Sequence, residues 1–120
     1  MSDQPKDLKP RTKAFAVRVI RMYSKLPKSD TVAQVLGKQV LRSGTSVGAN
    51  YREAARSRSK AEFISKIGDS LKEIEETEYW LELLVDSGCV LATQMADLLD
   101  ETRQLIAIFT TIDKRSKGAP

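Results

Sequence analysis

Apolar residues recur every three or four positions along most of this 120-residue chain, and no stretch alternates apolar and polar residues for long. Spacing of three or four residues is typical of amphipathic α-helices, whereas a half-buried strand would require alternation of apolar and polar residues. Pro27, the capping pair Ser59 and Glu62, and Gly88 interrupt the pattern and mark helix ends. We predict helices over residues 12–26, 30–57, 60–87 and 94–112, with flexible ends at 1–10 and 114–120.

Four helices joined by short turns predict an all-α fold, an antiparallel up-down-up-down four-helix bundle. We expect a single domain over residues 1–120, because a chain of this length can bury a core without disulfides. The longest unbroken apolar run, residues 105–109, is far too short to cross a bilayer, and the N-terminus is too polar for a secretion signal. We therefore expect a cytoplasmic protein with no membrane contact.

The residue types present narrow the possible chemistry. The chain has no His and one Cys, which excludes Ser-His and Cys-His nucleophile pairs and a Cys/His zinc site. Several glutamates cluster between Glu73 and Glu78, but without His they cannot form the Glu-x-x-His motifs of di-iron bundles. We therefore predict no catalytic residues, no metal and no cofactor, and a protein that is not an enzyme.

Positive charge is concentrated in the first part of the chain. Residues 1–28 contain eight basic and two acidic residues, whereas residues 59–88 contain three basic and eight acidic ones. Four cations of the first helix are spaced by seven, three and four residues and so share one face: Arg11, Arg18, Arg21 and Lys25. A second basic cluster lies near the end of the second helix: Arg52, Arg56 and Arg58. Such surfaces favour the phosphates of RNA or DNA.

The same charges have a second interpretation. Basic faces are also typical of solvated helix exteriors, and these could pair with the acidic third helix of another copy. The aromatic residues fall mostly at core spacing, so any nucleic acid would be bound by phosphate and shape rather than by base stacking. The residues thus leave two hypotheses open: a nucleic-acid-binding accessory protein, or a structural or protein-interaction module that forms a homo-oligomeric ring without nucleic acid.

Two features of the second helix concern packing. Gly44 and Gly48 lie in a segment that lacks the lysine of a phosphate-binding loop, so we interpret them as points where a neighbouring helix approaches closely. A polar line on the same helix is predicted near its buried side, with Arg42 paired to Glu78, which is predicted at a seam position of the third helix. The predicted buried polar network comprises Arg42, Ser46, Asn50, Glu53 and Glu78.

Several short segments together resemble a known family signature. They are a leading DL, then LP, QVLRSGTSVGAN, EFI, SLKE and LIAIF. The pattern resembles the small bacterial four-helix-bundle proteins encoded in intervening sequences of 23S ribosomal RNA genes. That family includes relatives of the accessory variability protein of diversity-generating retroelements. After Asn50 the family usually has Ile-Ala-Glu-Gly; here Glu53 is kept and Ala54 replaces the glycine.

The resemblance implies both an architecture and a class of partner. It implies a four-helix bundle assembled as a ring, typically a homopentamer, without an established catalytic activity. The retroelement relatives are basic proteins that bind nucleic acid and a reverse transcriptase, so these are the implied partners. Combined with the charge pattern, it predicts a non-enzymatic oligomer that binds RNA or DNA through a basic helix face.

Overall fold

The computed structural model describes residues 4–118, with side chains from Leu8 onward, and contains no strand in that range. Its four helices are α1 (Gln4–Lys25), α2 (Thr31–Ala55), α3 (Lys60–Asp86) and α4 (Ala92–Gly118). Consecutive helices pack side by side and α4 returns to α1, which gives a bundle of 51 × 22 × 21 Å. The predicted all-α four-helix bundle is confirmed. None of the described helices is long and apolar enough to span a membrane.

The ends of α2 and α3 follow the local signals in the sequence. Asp30 caps α2 by accepting a hydrogen bond from the Ala33 N–H at 3.0 Å, and Ser59 caps α3 by accepting one from the Glu62 N–H at 3.0 Å. These caps pair backbone donors that the first turn of a helix leaves free. Gly88, with φ of +84°, ends the turn after α3 in the left-handed region.

The first helix begins earlier than predicted. It starts at Gln4 and continues through Pro10, so the prediction of a flexible segment is wrong for residues 4–10; residues 1–3 lie outside the described range. Leu8 is 1% exposed in the core, and the Thr12 hydroxyl donates to its carbonyl at 2.6 Å. We infer that burial of this side chain outweighs the one hydrogen bond that Pro10 cannot donate.

The last helix also continues further than predicted. It extends to Gly118 rather than residue 112, so the predicted flexible end is wrong for residues 114–118; residues 119–120 lie outside the described range. Lys117 Nζ pairs with Asp113 Oδ2 at 3.1 Å, one turn away, and the Ser116 hydroxyl donates to the Ile112 carbonyl at 2.8 Å. Basic residues in this last turn also complement the helix dipole.

The glycines of α2 set the distance to α1. A Cβ atom at Gly44 would lie 2.8 Å from Val19 Cγ2, and one at Gly48 would lie 2.9 Å from Thr12 Oγ1. Real Cβ contacts are wider, so α1 packs directly on the backbone of α2. The interpretation of these glycines as close-packing positions agrees with this geometry.

The interface between α2 and α3 buries hydroxyl groups rather than carboxylates. The Ser70 hydroxyl donates to the Val47 carbonyl at 2.9 Å, and the hydroxyls of Thr77 and Ser43 share a hydrogen bond of 2.8 Å. Buried polar groups are tolerated when hydrogen-bonded in this way. The buried stripe of α3 consists of Ile67, Ser70, Ile74, Thr77, Leu81 and Leu84.

Candidate nucleic-acid interface

Three cations lie in a row along the second half of α1. Arg18, Arg21 and Lys25 are exposed, and none of them forms an ion pair within the part of the chain that the structure describes. Their spacing of three and four residues places them on one face of the helix. We call these three residues the α1 basic stripe.

Arg11 was predicted to belong to this stripe, but its side chain is engaged elsewhere. Its Nε donates to Glu101 Oε2 at 2.8 Å and its Nη2 to Glu101 Oε1 at 2.9 Å. The same Nη2 also donates to Gln104 Oε1 at 3.0 Å. Such a bidentate ion pair is strong and directional. Arg11 therefore connects α1 with α4 and does not extend into solvent as the α1 basic stripe does.

A groove of about 570 Å³ lies beside the stripe, between the end of α1 and the beginning of α4. All three cations of the stripe line it on the α1 side, and Gln94 and Asp97 line it on the α4 side. Its remaining lining is largely apolar: Met22, Leu26, Pro27, Cys89, Val90, Met95 and Leu98. The arrangement combines cationic, acceptor and apolar surfaces in one concave site.

The second predicted basic cluster lies at the other end of the bundle. Arg52, Arg56 and Arg58 are exposed around the end of α2 and the turn after it. Because α2 runs antiparallel to α1, its end lies beside the beginning of α1 and away from the groove. The fold therefore does not bring the two predicted basic clusters together.

Four acidic residues of α3 are paired with arginines from α2 and α4. Arg42 Nη1 lies 3.2 Å from Glu73 Oε1, and its Nη2 pairs with Glu76. The hydrogen bond to Glu76 raises the pKa of Arg42 above its ordinary value. On the other side of α3, Arg103 Nε pairs with Glu78 at 2.9 Å, and this hydrogen bond raises the pKa of Arg103.

The predicted pairing of Arg42 with Glu78 is therefore wrong. The buried stripe of α3 faces mainly α2, where its contacts are most extensive, so it includes Thr77 and leaves Glu78 on the α4 side. A helix packed unequally against two neighbours does not follow a symmetric seam, which is why the position of Glu78 was misassigned.

The predicted buried polar network is wrong in a second respect, because its members lie on the surface or only half-buried. Arg42 and Glu53 are exposed, and Ser46, Asn50 and Glu78 are half-buried. Ser46 donates back to the Arg42 carbonyl at 2.7 Å. Glu53 pairs with Lys66 at 2.8 Å, and that hydrogen bond lowers the Glu53 pKa.

The buried hydroxyls Ser43, Ser70 and Thr77 take the place predicted for charged groups, and sequence reasoning missed this role. The available signal was the seven-residue spacing of Ser70 and Thr77 in line with Ile67 and Ile74. Among residues 4–118, no three carboxylate or thiol groups are grouped so that they could hold a metal ion.

The fold and the surface place the chain in one class of proteins, the all-α helical bundles. Small residues lie at its helix contacts, and the α1 basic stripe lies beside a groove. The chain belongs to the 23S rRNA-intervening sequence protein family, whose model matches residues 7–111. The family resemblance found in the sequence is thereby confirmed.

A solved structure supports the same relationship. The chain is similar to a protein of unknown function from the S23 ribosomal protein family of Bacteroides thetaiotaomicron VPI-5482, with 38% sequence identity and a TM-score of 0.84. The match covers 92% of this chain and 97% of that one. No curated protein matches the chain.

Proposed function

We propose that this chain is a non-enzymatic accessory protein of the bacterial cytoplasm that binds RNA or DNA through the α1 basic stripe. The observation that carries the proposal is the exposure of Arg18, Arg21 and Lys25 without ion pairs in the described part of the chain. A cation without a protein partner is available to replace the counterions of a phosphate backbone.

The pairing of the acidic helix also favours this proposal. An alternative role for the stripe is to neutralise α3, but four carboxylates of α3 already have partners on α2 and α4. Glu73 and Glu76 pair with Arg42, and Glu78 and Glu82 pair with Arg103. These four carboxylates are thus neutralised without α1.

The dimensions of the stripe fit a nucleic-acid strand. Arg18 and Lys25 are seven residues apart, which is about 10 Å along a helix axis. Phosphates of one strand in a duplex follow each other at about 3.4 Å along its axis, so the stripe spans about three of them. Arg52, Arg56 and Arg58, at the other end of the 51 Å bundle, form a second contact in this proposal for a longer nucleic acid.

Fluorescence anisotropy with a structured RNA and a duplex DNA tests the proposal. We expect wild-type protein to lose on the order of a hundredfold in affinity between about 50 and 200 mM salt, and R18E/R21E to lose most binding at the lower salt. The matched control is K72E/K114E, which changes the net charge equally at exposed lysines that form no ion pair in the described range. Equal loss in both variants, or no binding by wild-type protein, would overturn the proposal.

A second candidate role, a homo-oligomeric interaction module, has support of its own. Four large apolar side chains are more than half exposed: Val32, Val35, Tyr79 and Leu91. They belong to the start of α2, the second half of α3 and the turn just before α4, which the antiparallel order brings to the same half of the bundle. Apolar groups concentrated on one part of a surface mark interaction sites. We propose that this half mediates self-association, as a homopentamer in line with the family resemblance.

Light scattering coupled to size exclusion tests this second role. We expect wild-type protein to elute as an oligomer and V32D/V35D as a monomer with an unchanged helical spectrum. The control is A49D, since Ala49 is an exposed position in the other half of α2. A monomeric wild-type protein, or dissociation by A49D as well, would contradict the assignment of this surface.

A further inference from the structure

The groove beside the α1 basic stripe has chemistry that phosphate contacts alone do not explain. Its α1 side carries Arg18, Arg21 and Lys25, but its α4 side carries the carboxylate of Asp97. A phosphate backbone lying across the whole groove would be repelled by that carboxylate. Asp97 forms no ion pair with the three cations in the described structure, so the opposite charges are held apart across the groove.

The surface of the groove between its two charged sides is apolar and rests on core residues. Leu26 and Leu98 are each 6% exposed and Met95 is 1% exposed, so their side chains form a rigid floor of the groove that is packed into the bundle. Met22 and Val90 continue this surface at its edges. A ligand that fills the groove therefore needs an anionic end, an apolar middle and a far edge that donates hydrogen bonds.

We propose that this groove binds one unpaired guanine nucleotide of a nucleic-acid strand. The phosphate of the nucleotide pairs with the α1 basic stripe, and its base lies against Met22 and Val90, which are supported from below by the buried Leu26, Met95 and Leu98. The base edge reaches Asp97 and Gln94. An ionised carboxylate only accepts hydrogen bonds, and guanine presents two adjacent N–H donors on the edge that is free when the base is unpaired.

This inference rests on the proposed function and makes it specific. It predicts that an unpaired, guanine-containing strand binds more tightly than a duplex of equal length, whereas phosphate contacts alone favour the duplex with its higher charge density. A free nucleotide should also occupy the groove by itself, and inorganic phosphate should not, because phosphate lacks the apolar and hydrogen-bonding parts.

Asp97→Asn distinguishes the nucleotide groove from a simple phosphate site by the sign of its effect. Loss of a negative charge should tighten binding at a simple phosphate site. At the proposed groove, the amide cannot accept both donors of guanine, so we expect affinity for the unpaired strand to fall on the order of tenfold while duplex affinity does not fall. Asp100→Asn is the matched control, because Asp100 lies one turn away outside the groove and bonds with Gln104.

The groove also contains the single cysteine of the chain, which gives a readout without mutation. Cys89 lines the groove and is half-buried, so its alkylation by N-ethylmaleimide reports whether the groove is occupied. We expect guanosine monophosphate to slow alkylation of the wild-type protein severalfold and inorganic phosphate at equal concentration to leave the rate unchanged. Equal protection by both, or no protection by either, would overturn the groove assignment.

These experiments separate base binding in the groove from phosphate binding by the α1 basic stripe. If the α1 basic stripe binds phosphates but the groove does not bind a base, both strands bind with salt dependence and Asp97→Asn tightens or leaves unchanged both affinities. If no nucleic acid binds at all, the proposed function itself is overturned, whatever the alkylation rates are.

Discussion

The Arg11 guanidinium contacts the Glu101 carboxylate through two hydrogen bonds, from Nε at 2.8 Å and from Nη2 at 2.9 Å. This ion pair connects α1 with α4, which have the fewest contacts of the neighbouring helix pairs. The Glu101 side chain is 17% exposed, so the carboxylate is largely withdrawn from water. Arg11 thus helps to close the bundle, whereas the cations further along α1 remain available for a ligand.

Arg11 and Arg18 should therefore respond differently to truncation. We expect Arg11→Ala to lower the free energy of unfolding by about 1–2 kcal/mol, because it leaves Glu101 without a partner. Arg18→Ala should change stability by less than about 0.5 kcal/mol but weaken nucleic-acid binding. Urea unfolding and anisotropy on both variants measure the two effects. A stable Arg11→Ala protein with impaired binding would place Arg11 back in the binding surface.

The glycines of α2 and α3 should give opposite results when changed to alanine. Gly44→Ala adds a Cβ atom only 2.8 Å from Val19 Cγ2, and we expect it to destabilise the fold by about 1–3 kcal/mol. At Gly68 an added Cβ meets nothing within 4 Å, so Gly68→Ala should stabilise α3 by up to about 1 kcal/mol. Thermal unfolding compares them directly. A Gly44→Ala protein as stable as wild type would show that α1 does not pack on the α2 backbone as described.

Much of the fold could be predicted from the sequence because its helix signals are local. The cap at Ser59 and the positive φ at Gly88 lie where the residue types indicate. The two outer helix ends were missed because they depend on tertiary packing. Residues 1–10 are predicted to be flexible, yet burial of Leu8 keeps the backbone helical through Pro10.

The buried hydroxyl pair between α2 and α3 should be energetically coupled. Thr77 Oγ1 and Ser43 Oγ are 2.8 Å apart and both residues are fully buried. We expect Thr77→Val to leave the Ser43 hydroxyl without this partner and to cost about 1–2 kcal/mol. Adding Ser43→Ala should then recover part of the loss. A double-mutant cycle by chemical unfolding measures the coupling, and strictly additive effects would contradict it.

Tyr51 should make stability sensitive to alkaline pH. It is 4% exposed, with its ring edge-on to Phe109 at 5.9 Å, and burial raises the pKa of its phenol above the ordinary value. The folded state therefore holds the proton more tightly than the unfolded state. This contribution is complete below about pH 10, the ordinary tyrosine pKa, and declines as the pH rises above it.

The comparison of wild-type protein with Tyr51→Phe isolates this effect, because lysines such as Lys66 titrate in both proteins. We expect the free energy of unfolding to fall more steeply with pH for wild-type protein between about pH 9 and 11. Parallel stability curves for the two proteins over this range would show that the phenol does not titrate differently on folding.

The candidate site was harder to predict than the fold, for a physical reason. Spacing along α1 placed Arg18, Arg21 and Lys25 on one face, and the structure agrees on that geometry. Spacing could not show that Glu101, ninety residues away in the sequence, withdraws Arg11 from that face. Nor could it show the groove, which forms where the end of α1 meets the beginning of α4.

The salt dependence of binding tests the central claim most directly, because it counts phosphate contacts. The affinity of wild-type protein for an RNA is compared with that of R18A/R21A/K25A over about 50–200 mM salt, with K72A/K114A as the control. Each lost phosphate contact should reduce the slope of log affinity against log salt by about 0.7–0.9, so the triple variant should lose about 2–3 from the slope and the control should lose nothing. An unchanged slope in the triple variant would show that the α1 basic stripe does not contact the phosphates.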